Sequence, residues 1–221
     1  MLSIKEISKS FPGRGTVLDK LNLEVNEGAS IAVSGPSGSG KTTLMNIIGL
    51  LDRPDSGEIL FRGNSIHDLN NEESASYRNL NIGFVFQDHL LLPHLSVIEN
   101  IFLPLLAAKI SDNDYASKKE YGLSLMERTG ITGLSEKYPF QISGGEAQRA
   151  TVVRALINKP SILLADEPTG SLDSRNAENL GNLLKEINMD LGITIILATH
   201  SNDLAKKMDT RLSLADGKLT G

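Results

Sequence analysis

One stretch of this chain carries most of its information: Gly35-Pro36-Ser37-Gly38-Ser39-Gly40-Lys41-Thr42. It matches the phosphate-binding loop pattern G-x-x-x-x-G-K-S/T at every fixed position. The apolar run 30–34 before it predicts a buried strand, and the apolar residues of 43–51 after it lie at helical spacing. A glycine-rich loop that only turned the chain would need neither flank. The chain is therefore predicted to bind a nucleoside triphosphate.

Each part of this loop has a physical role in holding phosphate. The glycines let the backbone wrap closely around phosphate oxygens, and successive N–H groups form an anion-binding nest at a helix N-terminus. Lys41 supplies a positive charge for the β- and γ-phosphates, and Thr42 offers a hydroxyl to Mg²⁺. The predicted nucleotide-binding residues of the loop are Gly35, Pro36, Ser37, Gly38, Ser39, Gly40, Lys41, Thr42 and Thr43.

The composition is that of an ordinary globular chain. With 221 residues, of which 40% are hydrophobic, it suits one domain with a sizeable core. The net charge of −5 argues against nucleic acid as the main partner, and the lack of cysteine excludes disulfides. Residues 1–6 lack the apolar region of a signal peptide, and polar residues and prolines interrupt the apolar stretch 90–108. A membrane is expected to matter only through a partner.

Short apolar runs alternate with helical patterns along the chain, which predicts an α/β fold with a mostly parallel sheet. The first two strands, joined by a turn at 12–15, are expected to be antiparallel. Residues 88 to about 137 show helical patterns without a convincing strand and are interpreted as a helical insertion. Strands are predicted at 2–8, 17–25, 30–34, 57–61, 82–86, 162–165, 194–199 and 212–214, and helices at 146–157 and 175–191.

Polar residues follow three of the predicted parallel strands. Asp166 and Glu167 end the run 162–165, where Asp166 can hold Mg²⁺ and Glu167 can activate water. Without the phosphate loop, this pair could equally be an ordinary acidic turn. Gln87 can touch the metal or the attacking water, or simply begin a surface loop. His200 can donate a hydrogen bond to a γ-phosphate oxygen, although a lone histidine is more often structural.

A second helix start also has features of a phosphate contact. Ser143 is a good N-cap, and Glu146 completes a capping box. Gly144 and Gly145 weaken this helix start, so they need a reason such as the close approach of a phosphate. A chain with a complete phosphate loop does not need a second such site, whereas a dimer in which each chain caps the other's nucleotide does.

With these motifs in this order, the chain resembles the nucleotide-binding subunits of ATP-binding cassette transporters over essentially its whole length. The segment 143–145 is similar to the family signature, and Phe11 matches the aromatic residue that stacks on adenine, although it would otherwise be core filler. Ile142 and Glu146 depart from the usual Leu and Gln. The resemblance implies a single domain over 1–221: a P-loop NTPase core of the RecA type, an N-terminal antiparallel β subdomain and a helical subdomain at about 88–157.

The resemblance also implies a mechanism. Two cassettes pair head to tail around two ATP molecules, and each phosphate loop meets Ser143, Gly144, Gly145 and Glu146 of the other chain. Asp173 crosses the interface, Glu167 activates water and His200 senses the γ-phosphate. Gln87 couples the site to a membrane subunit. The implied Mg²⁺ ligands are Thr42, Gln87 and Asp166.

The segment 82–106 is similar to a subgroup that includes lipoprotein-releasing ATPases, macrolide-type exporters and the cell-division cassette. Leu90-Leu91-Leu92-Pro93 and Pro104-Leu105-Leu106 most resemble the lipoprotein-releasing branch. The resemblance implies a peripheral subunit on the cytoplasmic face of the inner membrane, with a permease in a groove near residues 87–106. The alternatives are a macrolide-type efflux ATPase, a mechanical regulator of cell-wall cutting, and a cassette acting on ribosomes or DNA. The transported substrate and the permease stay open.

Overall fold

Two β-sheets organise residues 1–107 and 111–221, which are the residues that the computed structural model describes. The first sheet contains β1 (Leu2–Phe11), β2 (Gly15–Val25), β4 (Ser56–Phe61) and β5 (Asn64–Ser65). The second contains β3 (Ser30–Ser34), β6 (Ile82–Phe86), β7 (Ile162–Asp166), β8 (Thr194–Thr199), β9 (Thr210–Ala215) and β10 (Lys218–Thr220). The helices are α1 (Lys41–Ile48), α2 (Asn71–Asn81), α3 (Val97–Ala107), α4 (Asp112–Arg128), α5 (Gly144–Leu156), α6 (Ser174–Leu191) and α7 (Asn202–Ala205).

The N-terminal sheet is antiparallel, as predicted, with the strand order β2-β1-β4-β5. The register places Leu2 opposite both Val25 and Phe61, so that apolar residues of the three strands meet on one face. The two-residue strand β5 was not predicted, because it is too short to show a periodic pattern.

The second sheet has the order β10-β9-β3-β8-β7-β6 and is parallel except for the terminal pair β9–β10. The mostly parallel core of the prediction is therefore confirmed. Its strands supply two cores at once: Leu163 and Ala165 face one cluster, whereas Ile162 and Leu164 face the other. Because both faces are covered, alternate polar positions are absent, which explains the continuous apolar runs of the sequence.

Between β6 and β7 the described residues form α3, α4, α5 and two short 3₁₀ turns, with no strand. Of the predicted insertion 88–157, residues 108–110 lie outside the described residues. The helix α2 was missed by the sequence analysis because it is largely polar and buries only Ser74 and Tyr77. Within 1–107 and 111–221, every helix is too short or too polar to cross a membrane.

Candidate active site

The phosphate-loop segment joins the end of β3 to the start of α1, as its motif predicts. Gly40 is the N-cap of α1 with a φ of 107°, a left-handed conformation that favours glycine. A Cβ atom at Gly40 would also lie 3.0 Å from side-chain carbons of Val17 and Leu18. At Gly35 it would lie 2.3 Å from the carbonyl oxygen of Leu214. These two glycines are thus required by the local fold, independently of any ligand.

Lys41 is the first residue of α1 and is buried, with 7% of its surface exposed. Its Nζ donates to the carbonyl oxygens of Gly35, at 2.9 Å, and Pro36, at 3.2 Å. It also lies 3.6 Å from Oε1 of Glu167. The backbone of the loop therefore holds the side chain of Lys41 in place, and the carboxylate of Glu167 lies close to its ammonium group.

Glu167 follows β7 in an uncommon conformation for a non-glycine residue, with a φ of 47°. Its backbone N–H donates to the carbonyl of Ala198 at 2.8 Å. Its Oε2 lies 2.9 Å from Nδ1 of His200 and accepts a hydrogen bond from the His200 backbone N–H at 3.1 Å. Backbone strain of this kind concentrates at functional sites. The fold thus gathers a lysine, a carboxylate and an imidazole at the carboxyl ends of neighbouring strands.

Asp166 has the features of a metal ligand. Its Oδ1 is buried and has no hydrogen-bond partner in the described part of the chain. Burial raises the pKa of this carboxyl group, and a side-chain hydrogen bond from Thr42 lowers it in part. A buried carboxylate oxygen without a partner needs an explanation. One carboxylate and a threonine hydroxyl fit Mg²⁺, which takes few protein ligands and keeps several waters.

Gln87 stands directly after β6, facing the same site. A Cβ atom at Gly170 would lie 2.9 Å from Cδ of Gln87, so the two segments touch. The hydroxyl of Ser171 donates to the Gln87 carbonyl at 3.3 Å. On the other side, Gln148 of α5 donates to the carbonyl of Phe86 at 2.8 Å. Gln87 therefore lies where the helical region meets the sheet.

Most of these residues surround one cavity of about 560 Å³, but Asp166 and the loop residues Gly35, Pro36 and Ser39 are not part of its lining. It includes most of the predicted site but not Phe11, whose ring packs against the N-terminal core with Nζ of Lys9 5.2 Å from its centre. It also includes Arg14, which the sequence analysis missed. The cavity is lined by Arg14, Ser37, Gly38, Gly40, Lys41, Thr42, Thr43, Gln87, Glu167 and His200.

The segment 143–146 lies outside this lining and begins α5. Ser143 and Glu146 form the predicted capping box, and hydrogen bonds from the backbone and the hydroxyl of Ser143 lower the pKa of Glu146. A Cβ atom at Gly145 would lie 2.8 Å from Oδ1 of Asn176, which accounts for that glycine. At Gly144 the nearest atom would be a Leu172 carbon at 3.8 Å, an ordinary contact. Packing within the chain therefore explains only one of the two glycines.

Asp173, the other predicted interface residue, is exposed and caps α6. Its carboxylate accepts hydrogen bonds from the backbone N–H and the Nδ2 of Asn176, at 2.8 and 2.7 Å. These bonds lower its pKa. Within one chain, Asp173 therefore has a helix-capping role and does not contact the cavity.

Comparison with known proteins finds relatives that are similar over the whole chain. The lipoprotein-releasing system ATP-binding protein LolD 1 of Rhodopirellula baltica is 44% identical over 99% of this chain and 96% of its own length. The LolD of Myxococcus xanthus is 41% identical over 100% of this chain and 98% of its own.

Solved structures agree as well. The dimeric structure of MJ0796, a bacterial ABC transporter cassette, is 36% identical with a TM-score of 0.88, covering 100% of this chain and 97% of that one. Its post-hydrolysis dimer, bound to ADP and Pi, is 35% identical with a TM-score of 0.85 and the same coverage. The ABC transporter family model matches residues 18–170. This chain belongs to the ABC transporter family.

Proposed function

We propose that this chain is the ATP-hydrolysing subunit of a membrane transporter and that it works as a homodimer around two ATP molecules. The observation that carries the proposal is the grouping of Glu167, Lys41 and His200 beside the phosphate loop. The post-hydrolysis complex of MJ0796 with ADP and Pi supports ATP as the substrate.

Each of these residues has a distinct task in the proposed reaction. Lys41 and the loop N–H groups bind the β- and γ-phosphates. Glu167 accepts a proton from the attacking water, and its contact with His200 fixes its orientation. Thr42, Asp166 and Gln87 would hold Mg²⁺, which neutralises phosphate charge when it is bound. Phe11 is proposed to approach adenine from the rim of the site.

The proposed dimer assigns a role to Gly144, which no contact among the described residues explains. Ser143 and Gly144 are exposed at the start of α5, where a helix N-terminus offers N–H groups and a favourable dipole. Pairing head to tail would bring Ser143, Gly144, Gly145 and Glu146 onto the nucleotide of the other chain, with Asp173 nearby. The dimeric form of MJ0796 supports this arrangement.

The test of this chemistry is Glu167→Gln. We expect ATP to bind with unchanged affinity and to be hydrolysed at least about 100-fold more slowly, because the general base is lost. A stable ATP-dependent dimer should accumulate, measurable by size-exclusion chromatography with light scattering. As a control, Ser143→Arg should keep ATP binding by the monomer and lose both dimer and hydrolysis. Near-normal turnover by Glu167→Gln would remove Glu167 from the mechanism.

We further propose that the driven permease releases lipoproteins from the inner membrane, with the chain peripheral on its cytoplasmic face. The full-length similarity to LolD proteins supports this assignment. A second cavity, of about 370 Å³, lies between α2, β6 and α5 and is lined in part by Phe84, Phe86 and Pro104. Leu90, Leu92 and Leu106, which follow the lining residues Phe86 and Pro104 closely in sequence, are exposed. This apolar groove suits a short helix of a permease.

Affinity capture from detergent-solubilised native membranes, with MgATP and the Glu167→Gln chain, tests the partner. We expect a permease with a large extracytoplasmic domain and bound lipoprotein. Leu106→Glu, at a position that is 74% exposed in α3, should abolish capture. Met189→Glu, equally exposed at 70% but on α6, is the matched control and should not. An efflux or division-linked permease would overturn the lipoprotein assignment and leave the ATPase chemistry standing.

A further inference from the structure

The turn between β1 and β2 presents one cation to the phosphate loop. Pro12 and Gly13 occupy its central positions, Gly13 has a φ of 78°, and the N–H of Arg14 donates to the Phe11 carbonyl at 3.1 Å. Proline followed by a residue with positive φ is the signature of a type II turn. The turn therefore fixes the direction in which Arg14 leaves the hairpin.

Arg14 reaches across to the phosphate loop from a segment 24 residues earlier in the chain. Its Nη2 donates to the carbonyl of Gly38, and its side chain lines the cavity together with Lys41, Thr42 and Thr43. A Cβ atom at Gly38 would lie 3.2 Å from that same Nη2. The guanidinium therefore lies directly against the loop that binds phosphate.

Arg14 has no carboxylate partner in the part of the chain that the structure describes. Within residues 1–107 and 111–221, no Asp or Glu oxygen forms an ion pair with it. Lys41, the other cation of the cavity, lies 3.6 Å from Glu167 and binds two carbonyls of its own loop. The bond to Gly38 uses one of the five N–H donors of the guanidinium. The remaining donors suit phosphate oxygens, which arginine binds in a fork.

We propose that Arg14 is an additional nucleotide-binding residue, which contacts phosphate oxygens of the nucleotide in the loop and raises affinity for nucleoside di- and triphosphates. This proposal rests on the proposed ATPase function, because the ligand of Arg14 is the nucleotide of that site. It adds a positive charge on the side of the cavity facing the hairpin. Its position depends on the short Pro12-Gly13 turn.

Calorimetric titration of the full chain with MgADP tests this role, because Arg14 and the phosphate loop line the same cavity of one chain. Arg14→Ala should weaken MgADP binding about tenfold, the cost of one lost charge-assisted contact at an exposed site. The salt dependence of the dissociation constant should also become shallower, because one phosphate contact is lost. Arg14→Lys, which keeps the charge without the fork, should lose less. Arg62→Ala, which removes an exposed arginine paired with Glu27 on the same sheet, is the matched control and should bind normally.

A merely structural role for Arg14 predicts a different pattern. If Arg14 only holds the loop, Arg14→Ala should weaken MgADP binding without changing the salt dependence of the dissociation constant, because no phosphate contact is lost. That result would overturn the proposal. Equal affinity of Arg14→Ala and the unaltered chain would also overturn it. Failure of the unaltered chain to bind MgADP would instead overturn the proposed function itself.

Discussion

Two adjacent glycines at the start of α5 are there for different physical reasons. Gly145 faces Asn176, and this asparagine is fixed because both its backbone and its side-chain amide donate to Asp173. Gly144 has free space, since its nearest contact would be a Leu172 carbon at 3.8 Å. Packing therefore accounts for Gly145, whereas Gly144 is the glycine that we propose meets the nucleotide of the other chain.

This difference predicts opposite effects of two matched substitutions. Gly145→Ala should lower the free energy of unfolding by about 1–3 kcal/mol, because the added methyl group overpacks against Asn176. Gly144→Ala should raise it by up to about 1 kcal/mol, because alanine is the better helix former and the added methyl group meets only an ordinary contact. Urea unfolding of the nucleotide-free chain measures both.

The same two substitutions distinguish an effect on stability from an effect on dimer formation. Gly144→Ala should impair ATP-dependent dimer formation in the Glu167→Gln background, because the methyl group would stand between the helix N–H groups and the phosphate. A Gly144→Ala chain that dimerises normally would contradict the role given to this glycine.

Helix α5 connects the proposed dimer contact at 143–145 to the backbone at the end of β6. Its N-terminus carries the segment 143–145, and its next turns donate to the backbone beyond β6. Gln148 donates to the carbonyl of Phe86, Thr151 to that of His89, and Arg154 to those of His89 and Leu90. Movement of α5 on dimer formation would therefore pull directly on the backbone around Gln87 and on the groove beside it.

The loop before α3 is held by one buried asparagine. Asn100 is fully buried, and its Oδ1 accepts from the N–H of Leu92 at 2.7 Å. Its Nδ2 donates to the carbonyls of Leu92, Leu95 and Ser96 at 3.0 to 3.1 Å. A single side chain thus satisfies the backbone of a loop that has no regular structure of its own.

Asn100→Ala should therefore lower the free energy of unfolding by about 3 kcal/mol, because buried backbone groups lose their partners. Affinity for MgADP should stay normal, since Asn100 does not line the nucleotide cavity. Asn113→Ala, at an exposed position of α4, is the control and should have little effect. Denaturant unfolding and calorimetry together check this prediction. An unchanged unfolding midpoint would show that the loop does not depend on Asn100.

Across the whole molecule, distant segments are joined by polar contacts between elements. Asp209 precedes β9, binds Lys185 of α6 and accepts a hydrogen bond from Ser30 of β3 at 2.6 Å. Hydrogen bonds from Lys185, which has the larger effect, and from Ser30 lower the pKa of Asp209 below its usual value. A carboxyl with a lowered pKa in the folded state stabilises the fold above its unfolded pKa, and loses that contribution as the pH falls.

Asp209→Asn should therefore lower the melting temperature at pH 7, and the difference from the unaltered chain should shrink as the pH falls below about 4. Asp203→Asn is the control, because its side chain is 90% exposed and forms a surface ion pair with Lys206. Differential scanning calorimetry from pH 7 to pH 3 measures the effect. A difference that stays constant with pH would mean that the carboxylate charge of Asp209 is not involved.

Much of the fold could be predicted from local patterns. The strands 30–34, 82–86 and 194–199 match their predicted bounds, because continuous apolar runs between polar ends mark strands buried on both faces. The short strands β5 and β10 and the polar helix α2 could not be predicted this way. Two or three residues have no measurable period, and α2 buries too few apolar residues to show one.

The sequence by itself determined the phosphate loop, the carboxylates after β7 and the cap of α5, because residues adjacent in the chain define each of them. Only the tertiary structure decided that Arg14 meets Gly38 and that Asn176 blocks a side chain at Gly145. It also decided that Oδ1 of Asp166 is buried without a hydrogen-bond partner among the described residues. These features depend on contacts between segments far apart in sequence. Such contacts follow from how sheets and helices pack, and they leave no periodic signal in either segment alone.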